Sequence, residues 1–227
     1  MKAMVLAAGR GERMRPLTDH TPKPLLEVMG KPLIVRQIEA LAGSGFRDLV
    51  VNLAHLGGQI EKALGDGRRF GVNILYSREE TALETAGGIA NARHLLGEDP
   101  FLVVNSDIFC DFDYSLMQEK SGEMGETLAH LVLVDNPPHH PGGDFGLSGE
   151  TVILNGEQML TFSGIGLYQP ALFRDIRAGE SAKLGPLLKN AIQKGRVTGI
   201  RHEGVWVDVG TPERLDKLNS PTSDSRW

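Results

Sequence analysis

The sequence predicts an α/β fold with a doubly wound, mainly parallel mixed sheet and a small antiparallel lid. Through residues 1–105, short apolar runs alternate with longer amphipathic segments, which is the pattern of βαβ units. Right-handed crossovers then place helices on both faces of the sheet. Beyond residue 107 this alternation stops, and glycine turns separate runs that are typical of antiparallel strands.

The spacing of apolar residues predicts each element in turn. In the first part we predict strands at 2–8, 48–53, 72–76 and 101–105, and helices at 32–42, 56–64 and 85–96. In the second part we predict strands at 127–134, 145–156, 159–168, 197–202 and 205–209, and helices at 113–121, 186–193 and 212–218. Residues 137–143 are rich in Pro, Gly and His, so we predict a surface loop there.

Length and composition indicate a globular protein with a substantial core. The chain has 227 residues, of which 41% are hydrophobic and 23% charged. We predict a single domain over 1–219 and a frayed polar tail over 220–227. The one cysteine excludes an internal disulfide, and no apolar run reaches the roughly 18 residues of a membrane span. We therefore expect a cytoplasmic protein that does not contact a membrane.

The charge distribution favours a small anionic ligand over a nucleic acid. The net charge is −5, yet residues 1–36 hold seven basic and three acidic side chains. A long polyanion would be repelled by the protein as a whole, whereas a compact anion could bind to the local basic region. The sequence leaves the oligomeric state open.

The loop that follows the first predicted strand carries the strongest functional signal. Gly9, Gly11 and Arg13 follow an apolar run, and Lys23 stands between two prolines. Backbone N–H groups beside glycines, together with Arg and Lys side chains, suit a polyphosphate. The P-loop pattern is missing, and Met14 occupies the place of the third glycine of a dinucleotide-binding motif. A P-loop NTPase and a Rossmann oxidoreductase are therefore both disfavoured.

The wider pattern resembles the sugar-1-phosphate nucleotidyltransferase family. It reads Leu-Ala-Ala-Gly-x-Gly-x-Arg-x-x-Pro-x-Thr from residue 6, followed by Pro-Lys-Pro at 22–24. Leu-Glu-Thr-Ala-Gly-Gly at 83–88, Asn-Ser-Asp at 105–107 and Trp-Val-Asp-Val-Gly-Thr at 206–211 resemble further family motifs. The resemblance implies a Rossmann-like nucleotide-diphospho-sugar transferase fold. It also implies that an NTP and a sugar 1-phosphate react to give an NDP-sugar and pyrophosphate.

The resemblance assigns roles to individual residues. It implies that Arg13 contacts the leaving pyrophosphate, that Lys23 contacts the reacting phosphates, and that Asp107 is the third catalytic residue. Asp107 and Asp208 are expected to hold Mg²⁺, which prefers carboxylate and phosphate oxygens. The expected nucleotide-binding residues are Ala7, Ala8, Gly9, Gly11, Arg13, Lys23, Glu84, Thr85 and Gly87. The expected sugar-binding residues are Asn105, Gly146, Glu157, Ser163 and Asp208.

Glu84 departs from the family pattern, in which glycine is common at this position. Its carboxylate either accepts a hydrogen bond from a nucleobase N–H or caps the helix together with Thr85. The base and the sugar therefore stay open among uridylyl-, guanylyl- and thymidylyltransferases. A regulatory subunit that binds nucleotide sugars without catalysis is a further alternative. The presence of Arg13, Lys23, Asp107 and Asp208 together argues against it, because a sensor need not keep both metal-binding carboxylates.

Overall fold

The strands and helices form largely where the apolar spacing predicts them. A computed structural model describes residues 1–220; residues 221–227, most of the predicted tail, lie outside the described residues. The strands are β1 (Ala3–Leu6), β2 (Glu27–Val28), β3 (Lys31–Pro32), β4 (Asp48–Leu53), β5 (Asn73–Arg78), β6 (Phe101–Asn105), β7 (Ile108–Cys110), β8 (Ala129–Val134), β9 (Phe145–Ser148), β10 (Thr151–Ile153), β11 (Met159–Tyr168), β12 (Val197–His202) and β13 (Trp206–Asp208). The helices are α1 (Leu33–Gly43), α2 (Gly57–Leu64), α3 (Glu84–Asn91), α4 (Arg93–Leu96), α5 (Ser115–Ser121), α6 (Leu184–Gln193) and α7 (Pro212–Asn219).

Nine of these strands form one mixed sheet, which confirms the predicted fold class. Its order is β5-β4-β1-β6-β11-β8-β12-β10-β9. The strands β5, β4, β1 and β6 are parallel, whereas β11 is antiparallel to both β6 and β8. The predicted antiparallel part therefore continues the same sheet, with the β9–β10 hairpin at its edge.

Helices cover both faces of the sheet, as βαβ crossovers require. On one face, α1 buries Ile34, Ile38 and Leu41 in a cluster with β1 and β4. On the other face, α6 buries Leu188 and Ile192 in a second cluster with α3. Because both faces are covered, a ligand can reach the parallel strands only at their ends. No helix within residues 1–220 combines the length and the apolar character that crossing a bilayer requires.

The short antiparallel ribbon of β7 and β13 is the part of the fold that places the predicted metal ligands. The sequence predicts β13 but not β7, because a run of three residues gives too weak a period. Asp208 pairs with Ile108, and Val209 N donates to Asp107 O at 2.8 Å. The ribbon thus sets the backbones of residues 107 and 208 side by side.

Two predicted segments are divided. The predicted helix at 85–96 breaks at Ala92 into α3 and α4, and it begins one residue earlier than predicted. The segment 145–156 contains β9 and β10, joined at Gly149, whose φ of +57° lies in the left-handed region. Glycine adopts this conformation without steric cost, so the turn forms there.

Candidate active site

The loop after β1 packs tightly against the segment that contains Lys23. Gly11 has a φ of +71°, and a Cβ at this position would lie 3.0 Å from the Thr18 methyl group and 3.1 Å from Lys23 Cβ. Only glycine fits such a conformation at such a distance. Gly11 therefore shapes the loop, whereas Ala8 and Gly9 line the cavity beside it.

The first cavity of the site has a volume of about 380 Å³ and lies at the carboxyl ends of the parallel strands. Its walls are Leu6, Ala8, Gly9, Lys23, Pro24, Asn52, Glu79, Ala82, Glu84, Thr85, Asn105, Ser106 and Asp107. They come from the ends of β1, β4, β5 and β6, the edge at which open α/β sheets bind ligands. The cavity gathers most of the residues predicted to bind nucleotide.

A buried polar network supports this cavity, and the sequence analysis missed it. Asn52 Oδ1 accepts the Ala7 N–H at 2.8 Å, and Asn52 Nδ2 donates to Glu79 Oε1 at 2.7 Å. The other oxygen of Glu79 accepts the Leu83 N–H at 2.9 Å, and Glu79 is only 7% exposed. The network ties the loop after β1 to the start of α3. The available signal was Asn52, a polar residue within the otherwise apolar run at 49–53.

Glu84 has a strained backbone at the entrance to α3. Its φ is +61°, in the region where a non-glycine residue loses about 1 to 2 kcal/mol. The residue is exposed and lines both the first cavity and a second one. Strain of this kind concentrates at functional sites, so Glu84 is a candidate ligand contact.

Two of the residues predicted to bind nucleotide, Ala7 and Gly87, line none of the three site cavities. Ala7 is buried, with its N–H on Asn52. Gly87 N donates to Ala182 O at 3.0 Å, and a Cβ at Gly87 would lie 2.3 Å from Glu180 O. Gly87 thus allows α3 to approach the 180–182 segment and lines none of the three site cavities.

The second cavity, of about 430 Å³, shares Leu6, Glu84, Thr85 and Asn105 with the first. Its remaining walls are Val103, Asp144, Phe145, Phe162, Gly164, Tyr168, Lys183, Leu184, Gly185 and Leu188. Gly164 has a φ of +83°, and a Cβ there would lie 2.5 Å from Asn105 Nδ2. Glycine at this position therefore leaves room for the Asn105 side chain at the junction of the two cavities.

Asp107 and Asp208 both line a third cavity, of about 360 Å³, together with Arg13. Lys23, which is 9% exposed, donates from Nζ to Asp107 Oδ2. Arg214 donates from Nη1 to Asp208 Oδ1 at 2.5 Å, and His139 Nε2 lies 2.9 Å from the same oxygen. Lys23 and Arg214 each contact one oxygen of their carboxylate and leave the other oxygen for a ligand. Two carboxylates on one cavity supply the hard oxygen ligands that suit a divalent cation such as Mg²⁺.

Arg13 and Asp208 converge above Gly210. A Cβ at Gly210 would lie 3.1 Å from Arg13 Nη2 and 3.0 Å from Asp208 Oδ2. The buried backbone of Gly210 therefore lets the guanidinium and the carboxylate share one space. Sequence analysis did not select His139 or Arg214, because neither stands in a motif and both reach the site only through the fold.

The predicted sugar-binding residues divide into two groups. Asn105, Ser163 and Asp208 line site cavities. The Ser163 hydroxyl, however, already donates to Val132 O at 2.7 Å and accepts the Ile165 N–H at 3.1 Å. Gly146 lies within the β9–β10 hairpin and Glu157 is exposed in the turn before β11; neither lines these cavities.

Known proteins resemble this chain both in sequence and in fold. A protein of Neisseria meningitidis serogroup B (strain MC58), named N-acetylmuramate alpha-1-phosphate uridylyltransferase, is 54% identical over 225 residues and covers 97% of each chain. The mannose-1-phosphate guanylyltransferase catalytic subunit beta of Xenopus tropicalis is 30% identical over 94% of this chain and 62% of its own length. A solved structure from Bacillus anthracis, named for a glucose-1-phosphate thymidylyltransferase, shares the fold with a TM-score of 0.85. It is 22% identical over 96% of this chain and 94% of its own.

The family assignment rests on the sequence match as well as on the fold. Residues 2–151 match the nucleotidyl transferase family, and they include the loop after β1, Lys23, Glu84 and Asp107. The similarity to the Neisseria protein extends this match through Asp208 and α7. The chain therefore belongs to the nucleotidyl transferase family, among its sugar-1-phosphate nucleotidyltransferases.

Proposed function

We propose that the protein transfers a uridylyl group from UTP to N-acetylmuramic acid 1-phosphate, with Mg²⁺ as cofactor. The products are UDP-N-acetylmuramic acid and pyrophosphate. The observation that carries the proposal is the third cavity, where Asp107, Asp208 and Arg13 face one space at the end of the sheet. The choice of base and sugar is supported by the 54% identity to the Neisseria uridylyltransferase.

We assign one substrate to each of the first two cavities. The first cavity takes the nucleotide, with Ala8 and Gly9 beside the phosphates and Glu84 toward the base. We assign the sugar to the second cavity, because it adjoins the first cavity at Asn105 and carries the charged side chains of Asp144 and Lys183. Asn105 lines both, so the sugar phosphate and the α-phosphate meet beside it, next to Asp107.

The chemistry requires charge neutralisation rather than a general base. A phosphate oxygen of the sugar is already an anion, and it attacks the α-phosphorus of UTP. The new P–O bond forms as the bond to the β-phosphate oxygen breaks, and pyrophosphate leaves with the electron pair. Arg13 and Lys23 offset the charge of the two approaching anions and hold them in line.

Asp107 and Asp208 are the residues that would hold Mg²⁺. When bound, the ion supplies positive charge to the reacting phosphate oxygens. Lys23 and Arg214 fix the two carboxylates in orientation through one oxygen each. Because Lys23 is almost fully buried, its position is set before substrate arrives.

We place this reaction in the cytoplasm, in the recycling of cell-wall sugars. A second candidate is guanylyl transfer to mannose 1-phosphate, which is supported by the 30% identity to the Xenopus tropicalis subunit. Because that identity is much lower than 54%, the uridylyl reaction is the stronger proposal.

A substrate panel tests the proposal. The purified chain is incubated with UTP, GTP or dTTP and with the 1-phosphate of N-acetylmuramic acid, N-acetylglucosamine, mannose or glucose, and released pyrophosphate is measured. We expect the highest kcat/KM for UTP with N-acetylmuramic acid 1-phosphate, and loss of turnover on chelation of divalent cations. Preference for GTP with mannose 1-phosphate would favour the second candidate. Tight binding of UDP-sugar without pyrophosphate release would contradict catalysis.

A further inference from the structure

We propose that Lys183 forms a carboxylate-binding subsite in the second cavity and reads the lactyl group of the sugar. This inference rests on the proposed function, because it takes the second cavity as the place of the sugar. Lys183 lies immediately before α6 and is far in sequence from every motif that resembles the family.

Lys183 is the one basic side chain among the residues that line the second cavity. It is exposed, and it makes no ion pair or side-chain hydrogen bond within residues 1–220. The cavity wall also contains the apolar side chains of Phe145, Phe162 and Leu184. A positive charge at such a position has no partner within the described protein, so a ligand can supply one.

Two acidic residues, Glu84 and Asp144, line the same cavity, and neither forms an ion pair with Lys183. Asp144 also lines the cavity, but its Oδ2 accepts the Phe162 N–H at 2.8 Å. Its Oδ1 lies 3.1 Å from His140 Nε2. Both oxygens of Asp144 are therefore engaged elsewhere, and Lys183 stays available to an incoming anion.

The proposed sugar carries the matching chemistry. N-acetylmuramic acid differs from N-acetylglucosamine by a lactyl ether, which adds one methyl group and one carboxylate. The 1-phosphate must lie toward Asp107 for reaction, and Asp107 does not line the second cavity, so we expect a different group of the sugar to contact Lys183. An ion pair between the Lys183 ammonium and the lactyl carboxylate neutralises the second negative charge of the sugar, while the lactyl methyl packs on apolar side chains of the cavity. Specificity would then come from a contact that N-acetylglucosamine lacks.

The experiment compares the two sugars in matched variants of the full chain. Lys183→Met removes the charge and keeps most of the volume, and Lys183→Arg retains the charge. Lys189→Met is the control, since Lys189 is exposed on α6 and lines none of the three site cavities. Pyrophosphate release with UTP gives kcat/KM for N-acetylmuramic acid 1-phosphate and for N-acetylglucosamine 1-phosphate.

For Lys183→Met we expect kcat/KM to fall about 10- to 100-fold with N-acetylmuramic acid 1-phosphate, as for loss of one charged hydrogen bond. We expect little change with N-acetylglucosamine 1-phosphate, partial recovery in Lys183→Arg, and wild-type values in Lys189→Met. The methyl ester of the lactyl carboxylate should be a poor substrate for wild type and no poorer for Lys183→Met.

An equal loss on both sugars would overturn the subsite, because Lys183 would then contact the shared phosphate or hexose. An unchanged ratio between the two sugars would overturn it as well. The wild-type measurements test the proposed function separately, since a wild type that fails to use N-acetylmuramic acid 1-phosphate contradicts that function whatever the variants do.

Discussion

The first and second cavities of the site each contain an acidic residue with both oxygens engaged, but the two residues differ in burial. On the side of the first cavity, Glu79 engages both carboxylate oxygens and is only 7% exposed. On the side of the second cavity, Asp144 also engages both oxygens, but it is exposed. The hydrogen bonding is alike, and the burial is not.

This difference determines how freely each side can change. A buried acceptor that loses its partner costs the full desolvation penalty, whereas exposed groups exchange their partners for water. The first side is therefore tied to the stability of the fold. The second side can exchange polar residues such as Lys183 at little cost in stability, which allows one fold to serve different sugars.

The largest expected effect is at Asp107, which lines both the first and the third cavity and accepts a hydrogen bond from Lys23. Asp107→Asn removes a metal ligand and leaves the Lys23 charge without its partner. We expect kcat at saturating Mg²⁺ to fall about 10²- to 10³-fold, whichever sugar is offered, as for loss of one preorganised charge contact. Asp99→Asn, at an exposed position away from the site, is the control. Near-normal turnover of Asp107→Asn would remove Asp107 from the mechanism.

The next effect separates the two sides directly. In Glu79→Gln, the new amide donor must face either Asn52 Nδ2 or the Leu83 N–H, both of which are donors. We expect unfolding in urea to show a loss of about 1 to 3 kcal/mol, with a higher KM for UTP. Asp144→Asn should change the free energy of unfolding by less than about 1 kcal/mol. Equal losses in the two variants would contradict the comparison.

The sequence predicts the buried parts of this edge better than its exposed parts. The bounds of β4 and β6 agree with the predicted strands at 48–53 and 101–105, because most residues of both strands are buried and apolar. The glycines were harder to interpret, since the sequence cannot say what approaches them. Gly87 contacts backbone at 180–182, whereas Gly9 lines the first cavity.

Residues that reach the site from distant segments escaped prediction for a related reason. Lys183, His139 and Arg214 stand outside any motif, and only the fold brings them beside Asn105 and Asp208. The pairing of β7 with β13 could not be predicted either, because β7 is three residues long. The metal-binding roles of Asp107 and Asp208 stay predictions, although the structure places both on one cavity.

The smallest expected effect concerns proton binding by histidines away from the site. It distinguishes the part of the chain before residue 107 from the part after it. His130 on β8 is buried, with Nδ1 2.8 Å from Thr198 Oγ1. Burial, and to a smaller extent the charge of Lys120, lowers the pKa of His130 from 6.5 to about 4, and the charge of Glu150 opposes this shift. By contrast, His20, His55 and His94 of the first part are all at least partly exposed.

The sign of the pH dependence follows from this depressed pKa. Below pH 6.5 the unfolded chain takes up a proton at His130 before the folded protein does, so the stability present above 6.5 is lost as the pH falls toward 4. The contribution of His130 to the slope is at most about 1.4 kcal/mol per pH unit. His130→Gln should reduce the slope of urea unfolding free energy between pH 6.5 and 5, and His94→Gln should not. An unchanged slope in His130→Gln would contradict this prediction. It would mean that His130 has the same pKa in the folded and the unfolded protein and so contributes nothing to the pH dependence of stability.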